Sequence, residues 1–241
     1  MRNLFFSLSL MAGTLGLSAQ AVPGFESDIF ETARGPARIT FVGHASLMIQ
    51  WNGLVIHVDP VSAEADYSLF PRADILLVTH EHGDHFDPAV MKLLSGPDTR
   101  LVTNASVTEK YGTGTVMANG DTLTVRGISL QAVPAFNTTP GRERFHPRGR
   151  DNGFVLDMGG FRLYIAGDTE PVPEMKTLAD IDAAFLPVNQ PYTMTPEQAA
   201  EAARQIRPAV LYPYHYGQTD LSGLAGSLKA SGVEVRIRKL D

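Results

Sequence analysis

The chain is predicted to be a mixed α/β protein of sheets covered by helices, and three observations carry that expectation. Short alternating or β-branched runs follow one another from residue 37 onward. Two helical patterns open on a capping residue followed by proline, at Asp87-Pro88 and Thr195-Pro196. Strands in the first part are spaced as hairpins, whereas the second half alternates strand with helix, so antiparallel and βα connections are mixed.

The first 21 residues, MRNLFFSLSLMAGTLGLSAQA, carry one arginine near the start, an apolar run from Leu4 to Leu17, and small residues at Ala19 and Ala21. That pattern is a signal peptide cut near Ala21, which places the mature chain in the periplasm or outside the cell. A transmembrane anchor needs about 20 apolar residues without this polar, small-residue end. Residues 22–241 read as one domain, since no Pro/Gly/Ser linker divides them.

Within the domain, ARITFVG, LMIQW and LVIHVD are strands broken at Gly43 and at the hairpin pair Asn52-Gly53. ADILLVT, residues 73–79, is a continuous apolar run that suits a strand buried on both faces. A helix runs from the Asp87 cap to about Leu94. TRLVT, GTVMA, DTLTV and ISLQAVPA follow as strands, then NGFVLDM and FRLYIAG around a Gly159-Gly160 turn. DAAFLPV is a strand, TPEQAAEAARQI a capped helix and AVLYPYH a strand, before a helix near Leu221 to Ala230 and a last strand VEVRIR.

The formal charge of −6 becomes −7 once Arg2 leaves with the signal, which argues against a nucleic-acid partner. The chain has no cysteine, so there is no disulfide, no thiol nucleophile and no cysteine-ligated metal. Any metal site must be built from histidine and carboxylate. No Gly-x-Ser-x-Gly elbow and no Walker loop occurs, which removes a serine hydrolase and a P-loop nucleotidase.

The apolar strand runs directly into THEHGDHFD, residues 79–87, which holds three of the seven histidines of the chain. A metal site, an acid/base cluster and a polar turn are the readings open for such a loop. His80, His82, Asp84 and His85 follow the end of a buried strand, where the chain can fold side chains inward, and Gly83 supplies turning freedom. The zinc-protease signature His-Glu-x-x-His fails, because its fifth position is Asp84 and Gly83-Asp84 is a poor helix interior.

His-x-His-x-Asp-His after a hydrophobic strand resembles the signature of the metallo-β-lactamase superfamily, and HEHGDH fits it at every fixed position. GHASLMI and HVDPV upstream, YIAGDTE with Asp168, and LYPYHYG with His215 agree in order and spacing, across about residues 37–217. The chain looks most like the branch that includes ascorbate-phosphate lactonase and the N-acylphosphatidylethanolamine phospholipase D type of enzyme. The resemblance implies a four-layer αββα sandwich around two divalent metal ions, zinc first, with manganese or iron as alternatives. It implies that His80 and His82 bind one ion, that Asp84, His85 and His215 bind a second, and that Asp168 bridges them. Many members place a third histidine for the first ion just after a strand, where VPAFNTT offers Asn137. His146 in RFHPRGR is expected to reach back instead; a weakened site using Asn137 or water, and a single-metal site, are the alternatives.

His44 in GHAS matches a position that the resemblance places near the metal pocket and is expected to support the metal ligands or to act on the substrate; an ordinary turn histidine is the plain alternative. Asp59, before Pro60, is expected to orient a metal histidine or to cap a turn, and His57, between Ile56 and Val58, to be structural. GRERFHPRGR packs four arginines around His146, either as a lid carrying Arg148 toward an anionic substrate or as a solvated loop. Asn137, Tyr192 and Tyr214 complete the expected substrate-contacting set, with a surface loop for Tyr192 and core packing for Tyr214 as the plain readings.

The expected function is exported, metal-dependent hydrolysis of an ester, lactone or phosphodiester bond in a small molecule, with Asp84 moving protons. Lactam cleavage is disfavoured, because GHAS, VDPV and FHPRGR resemble the lactonase-like branch. A mononuclear-iron persulfide dioxygenase is the second reading, and a non-catalytic periplasmic metal- or ligand-binding protein the third. No integral membrane segment is expected after signal removal.

Overall fold

Two seven-stranded sheets face each other in the computed structural model, which describes residues 21–240; residues 1–20 of the expected signal peptide lie outside the described residues. The first sheet runs in chain order through β1 (Ser27–Phe30), β2 (Ala37–Gly43), β3 (Ser46–Trp51), β4 (Leu54–Val58), β5 (Ile75–Leu77), β6 (Arg100–Thr103) and β7 (Thr115–Val116). The second contains β8 (Thr122–Val125), β9 (Ile128–Ala135), β10 (Asp151–Met158), β11 (Phe161–Ile165), β12 (Ala183–Pro187), β13 (Val210–Tyr214) and β14 (Glu234–Val235). Both follow one plan: the first four strands pair antiparallel and the remaining contacts are parallel.

Period-two alternation explains the layering. Ala37, Ile39 and Phe41 of β2, Ile56 and Val58 of β4, and Ile75 and Leu77 of β5 point into the core shared with the second sheet. Val42, Met48, Leu76 and Val78 point the other way and pack under α1 (Pro88–Leu94) and α2 (Ala105–Tyr111) with Met91, Leu94 and Val107. On the far side, α3 (Pro196–Ile206) lays Ala199, Ala200, Ala202, Ala203 and Ile206 on the second sheet, beside α4 (Leu224–Leu228). Helix, sheet, sheet, helix is the αββα order. Among the described residues no helix is long and apolar enough to cross a membrane.

The two proline-started helices begin where their caps require. Asp87 accepts the amides of Ala89 and Val90, and Thr195 forms a full capping box with Gln198. Two elements carry a weaker signal in the sequence. Edge strand β1 has no buried apolar face, and α2 contains Val107 and Thr108 and buries only Val107. The expected helix from Leu221 shortens to α4, because Gly223 and Gly226 weaken both its start and its middle. The expected strand VEVRIR keeps only β14; beyond it, Arg236 and Arg238 turn to Asp28 on β1 and draw the chain across to the first sheet.

Topology brings the chemistry to one edge. Strands β2, β4, β5, β9, β11 and β13 all end there, and β10 begins there, so the loops after them face one another across the gap between the sheets. In open sheets with parallel strands, the crevice outside their carboxyl ends is where ligands sit.

His57 lies on the outer face of the first sheet, fully buried against Tyr67 and Phe70. Its Nε2 donates to the Pro71 carbonyl at 3.0 Å while Nδ1 has no partner, and burial lowers its pKa from 6.5 to about 4. Between those values the unfolded chain binds the proton that the folded chain refuses, so this contribution to stability is lost as pH falls. Denaturant unfolding should show the native protein losing on the order of 3 kcal/mol from this source between pH 6.5 and 4. His57→Leu should flatten that part of the profile, and parallel profiles for the two proteins would refute the assignment.

Candidate metal centre

The loop after β5 is a tight coil rather than a helix: His82 accepts the amides of His85 and Phe86 at 3.0 and 2.9 Å before the Asp87 cap starts α1. This coil turns His80, His82 and His85 inward and leaves Asp84 at the open side, half exposed at 50%. Asp168 arrives from the end of β11, His215 from β13, His44 from the turn after β2, and His146 from the loop between β9 and β10.

Donor atoms within 4.8 Å of one another fall into three overlapping groups: His80, His82 and His146; His44, Asp84, His85 and His215; and His80, His85 and Asp168. Asp168 sits at the centre, with His146 Nε2 at 3.4 Å, His215 Nε2 at 3.2 Å, His85 Nε2 at 3.3 Å and His80 Nε2 at 4.0 Å. Asp84 approaches His44 Nε2 at 3.3 Å and His215 Nε2 at 3.5 Å.

Hydrogen bonds behind the rings orient them. Asp59 Oδ1 accepts the Thr79 amide at 2.8 Å, and its Oδ2 accepts the Thr79 hydroxyl at 2.7 Å and His85 Nδ1 at 2.8 Å. With its own proton on Asp59, the Thr79 hydroxyl accepts from His80 Nδ1 at 3.0 Å. Asp151 Oδ2 takes His146 Nδ1 at 3.2 Å. In each ring the remaining nitrogen, Nε2, then faces the centre. His82 faces His80 through Nδ1, at 3.1 Å from Nε2.

Electrostatics agree with a ligand set. Burial and the neighbouring His85 hold His80 well below its usual pKa, and burial with His146 lowers that of His82, so both shifts favour the neutral ring. Burial alone would lower His85 and His215, but the Asp168 carboxylate reverses the sign and carries His215 up to about 9. Against its own burial, Asp168 is held well below the carboxylate range by His215 and His85. Yet His85 Nε2, Asp168 Oδ1 and both nitrogens of His215 are buried without a hydrogen bond. Buried polar atoms are rarely left unpaired, and orphans clustered at one point fit divalent cations held by nitrogen and oxygen donors.

Backbone strain is concentrated here too. His44, Asp59 and His215 all adopt left-handed φ angles of 50°, 44° and 49°. The His44 amide donates to the Leu240 carbonyl at 2.6 Å and the His215 amide to the His44 carbonyl at 3.0 Å, so the C-terminal segment and the ends of both sheets lock these positions.

The four expected substrate contacts fare differently. Asn137 is buried, with Nδ2 on the carbonyls of Tyr192 at 2.7 Å and Arg142 at 3.3 Å, so it clasps two loops together. Arg148, 69% exposed, pairs with Glu174 at 2.8 Å and lies over Phe136. Tyr192 is 46% exposed and stacks edge-on with Phe145. Tyr214 is a correction: it is fully buried at 0% exposure, against Phe185, with the Asp168 and Asp59 carboxylates near enough to add to the rise in pKa that burial causes, so it packs in the core beneath the centre and not on an exposed pocket wall. Asp151 and Thr79, which hold the rings of His146, His85 and His80 directly or through Asp59, are absent from the candidates read in the sequence. An aspartate at the start of a strand carries no sequence signal for that role.

A family profile described as the beta-lactamase superfamily domain matches residues 38–215. A metal-dependent hydrolase of Thermus thermophilus is 30% identical over 209 residues, which are 81% of this chain and 93% of that protein. A crystal structure from Parabacteroides distasonis, named by inference a metal-dependent hydrolase, is 55% identical with a TM-score of 0.89, covering 90% of this chain and all of that one. The metallo hydrolase Igni18 of Ignicoccus hospitalis shares the fold, with a TM-score of 0.72 at 22% identity over 85% of this chain and 95% of its own.

Gly167, just before Asp168, lies against Thr79, just past the end of β5 in the first sheet, and Asn152 in β10 of the second. Its φ is +64°, and a Cβ there would lie 2.8 Å from the Asn152 carbonyl oxygen and 3.3 Å from Thr79 Cβ. Gly167→Ala should lower stability by about 1–3 kcal/mol and displace Asp168. Thermal melting together with metal content per chain checks this; unchanged values of both would show that the seam has slack.

Proposed function

The chain belongs to the metallo-β-lactamase superfamily and is a metal-dependent hydrolase within it, and we propose that it is an exported enzyme using two divalent cations to cleave an ester, lactone or phosphodiester bond in a small molecule. The observation that carries this reading is the set of orphaned, inward-facing donors around Asp168. His80, His82 and His146 would hold one cation, Asp84, His85 and His215 the other, with Asp168 between them. Zinc is the proposed metal, with manganese and iron as the alternatives for the same nitrogen and oxygen donors. When bound, two such cations bring the pKa of water toward about 7 and stabilise negative charge developing on the substrate.

What the protein supplies is orientation and proton traffic. Asp84 is ionised, since His215 and His44 outweigh its partial burial and lower its pKa. Half exposed and 3.3 Å from His44 Nε2, it can take a proton from the attacking water and pass it toward the leaving group. His44, packed at a tilt against His215 with ring centres 3.8 Å apart, has its Nε2 on Asp84 and is partly exposed beside it, where it can act with Asp84 on the substrate. Buried His85 is anchored from behind by Asp59, which fixes the orientation of its ring. Three of the four arginines of the loop before β10 are paired with carboxylates, Arg142 with Glu170, Arg148 with Glu174 and Arg150 with Asp151, so none of the three is assigned a substrate contact; the apolar, small-residue N-terminal pattern supports export.

Elemental mass spectrometry on mature protein purified without chelator should find two zinc or manganese ions per chain. Turnover on a panel of ester, lactone and phosphodiester substrates should then fall in Asp84→Ala and His85→Ala by more than the about 100-fold that loss of a supporting residue costs, with the fold retained. One iron per chain would favour the dioxygenase, and metal uptake without turnover across the panel would favour a binding protein.

A further inference from the structure

His146 comes from a loop, not from a strand end. The strand-end position is held by Asn137, whose amide nitrogen is spent on two carbonyls. A loop histidine has more freedom than one anchored by a sheet, so something must fix its ring. The Asn137 amide donates to the His146 carbonyl at 2.9 Å, which holds the backbone but leaves the imidazole free to rotate.

We propose that Asp151 is the positioning residue of His146 and that Arg150, backed by Glu81, is the clamp that keeps it there, an inference that rests on reading the cluster as a metal centre. Asp151 is the first residue of β10, paired with Ala135, and fully buried. Its Oδ2 lies 3.2 Å from His146 Nδ1. Arg150 grips the same carboxylate through two nitrogens, Nε to Oδ1 at 2.7 Å and Nη2 to Oδ2 at 2.8 Å, a bidentate geometry with little rotational freedom. Arg150 Nη2 also donates to the Phe145 carbonyl at 2.9 Å, closing the loop on either side of His146.

The clamp reaches the histidine motif itself. Arg150 Nη1 is 3.4 Å from Glu81 Oε1, and Glu81 Oε2 accepts the Ser106 hydroxyl of α2 at 2.6 Å. Glu81, the residue between His80 and His82, therefore ties the first two ligands to the support of the third. Two consequences follow for Asp151. Its charge is compensated by Arg150, so it is stable when buried; and the grip prevents it from swinging inward to compete as a ligand. Accepting Nδ1–H leaves the lone pair of His146 on Nε2, directed at the centre, and makes that imidazole a better donor.

A simple structural salt bridge would predict lost stability; a positioning residue predicts lost metal affinity that vanishes when His146 is already gone. The test is zinc affinity of the full mature chain, by competition with a chromophoric chelator, for wild type, Asp151→Ala, His146→Ala and the double variant, with melting curves alongside. Asp151→Ala is expected to weaken one of the two zinc equivalents 10- to 100-fold and leave the other unchanged. In the His146→Ala background it should cost no further affinity. Additive losses, or unchanged affinity in Asp151→Ala, overturn the proposal. If Asp151→Ala does not fold, Asp151→Asn, which keeps an acceptor without the charge, enters the same cycle with a smaller expected loss. A wild-type chain that binds no zinc, manganese or iron would overturn the metal centre itself, before any variant is compared.

Discussion

The structure turns on one buried carboxylate. Asp168 lies in the gap between the two sheets with imidazoles of four histidines aimed at it, and a buried, ionised carboxylate is costly unless charge and hydrogen bonds compensate it. The compensation here is electrostatic more than hydrogen-bonded, since Oδ1 has no hydrogen bond. His85 and His215 therefore carry positive charge opposite Asp168 or share cations with it. In either case, the donors must sit at fixed distances, and the rest of the fold can be read as what fixes them.

The two sheets supply that constraint jointly. Asp59 and Thr79 from the ends of β4 and β5 hold the first-sheet histidines; Gly167 lets Asp168 pass close to Thr79; and the Thr79 carbonyl accepts the Asn152 amide of β10 at 3.2 Å. His44 and His215 interlock across the same gap, and the C-terminal segment seals it through Leu240, which is fully buried. Sliding one sheet against the other would break these contacts together. That is why strained backbone at His44, Asp59 and His215 can persist: several independent contacts overdetermine it.

How much of this was legible in the sequence depended on whether the signal was local. HEHGDH after an apolar run announces a ligand loop, because chemistry and strand end fall within nine residues, and Asp87-Pro88 and Thr195-Pro196 place two helix starts to the residue. His146 could be singled out because a chain with seven histidines offers few other candidates. Tyr214 shows the limit: beside His215 in the sequence it reads as a pocket residue, but the end of β13 buries it completely beneath the centre. Asp151 shows another limit. Its partner His146 is near in sequence, but the pairing depends on how a loop of arginines folds back onto β10, and no periodicity encodes that. Edge strand β1 was invisible for a related reason, as it is held by pairing with β2 and by the Asp28 contacts to Arg236 and Arg238, not by a buried apolar face.

The centre is also asymmetric in exposure. His80 and His146 are buried and His82 only partly open, whereas the other half contains Asp84 and His44 on the accessible side. On the solvent side the centre presents Asp84 and His44, while Arg150 and Glu81 lie against the side of His80, His82 and His146. The carboxylate on the open side, Asp84, lies on a turn beside Gly83, not on a strand. The difference in exposure follows from topology: the long β9–β10 connection supplies His146 on the buried side, and the short turn after β2 supplies His44 on the open side.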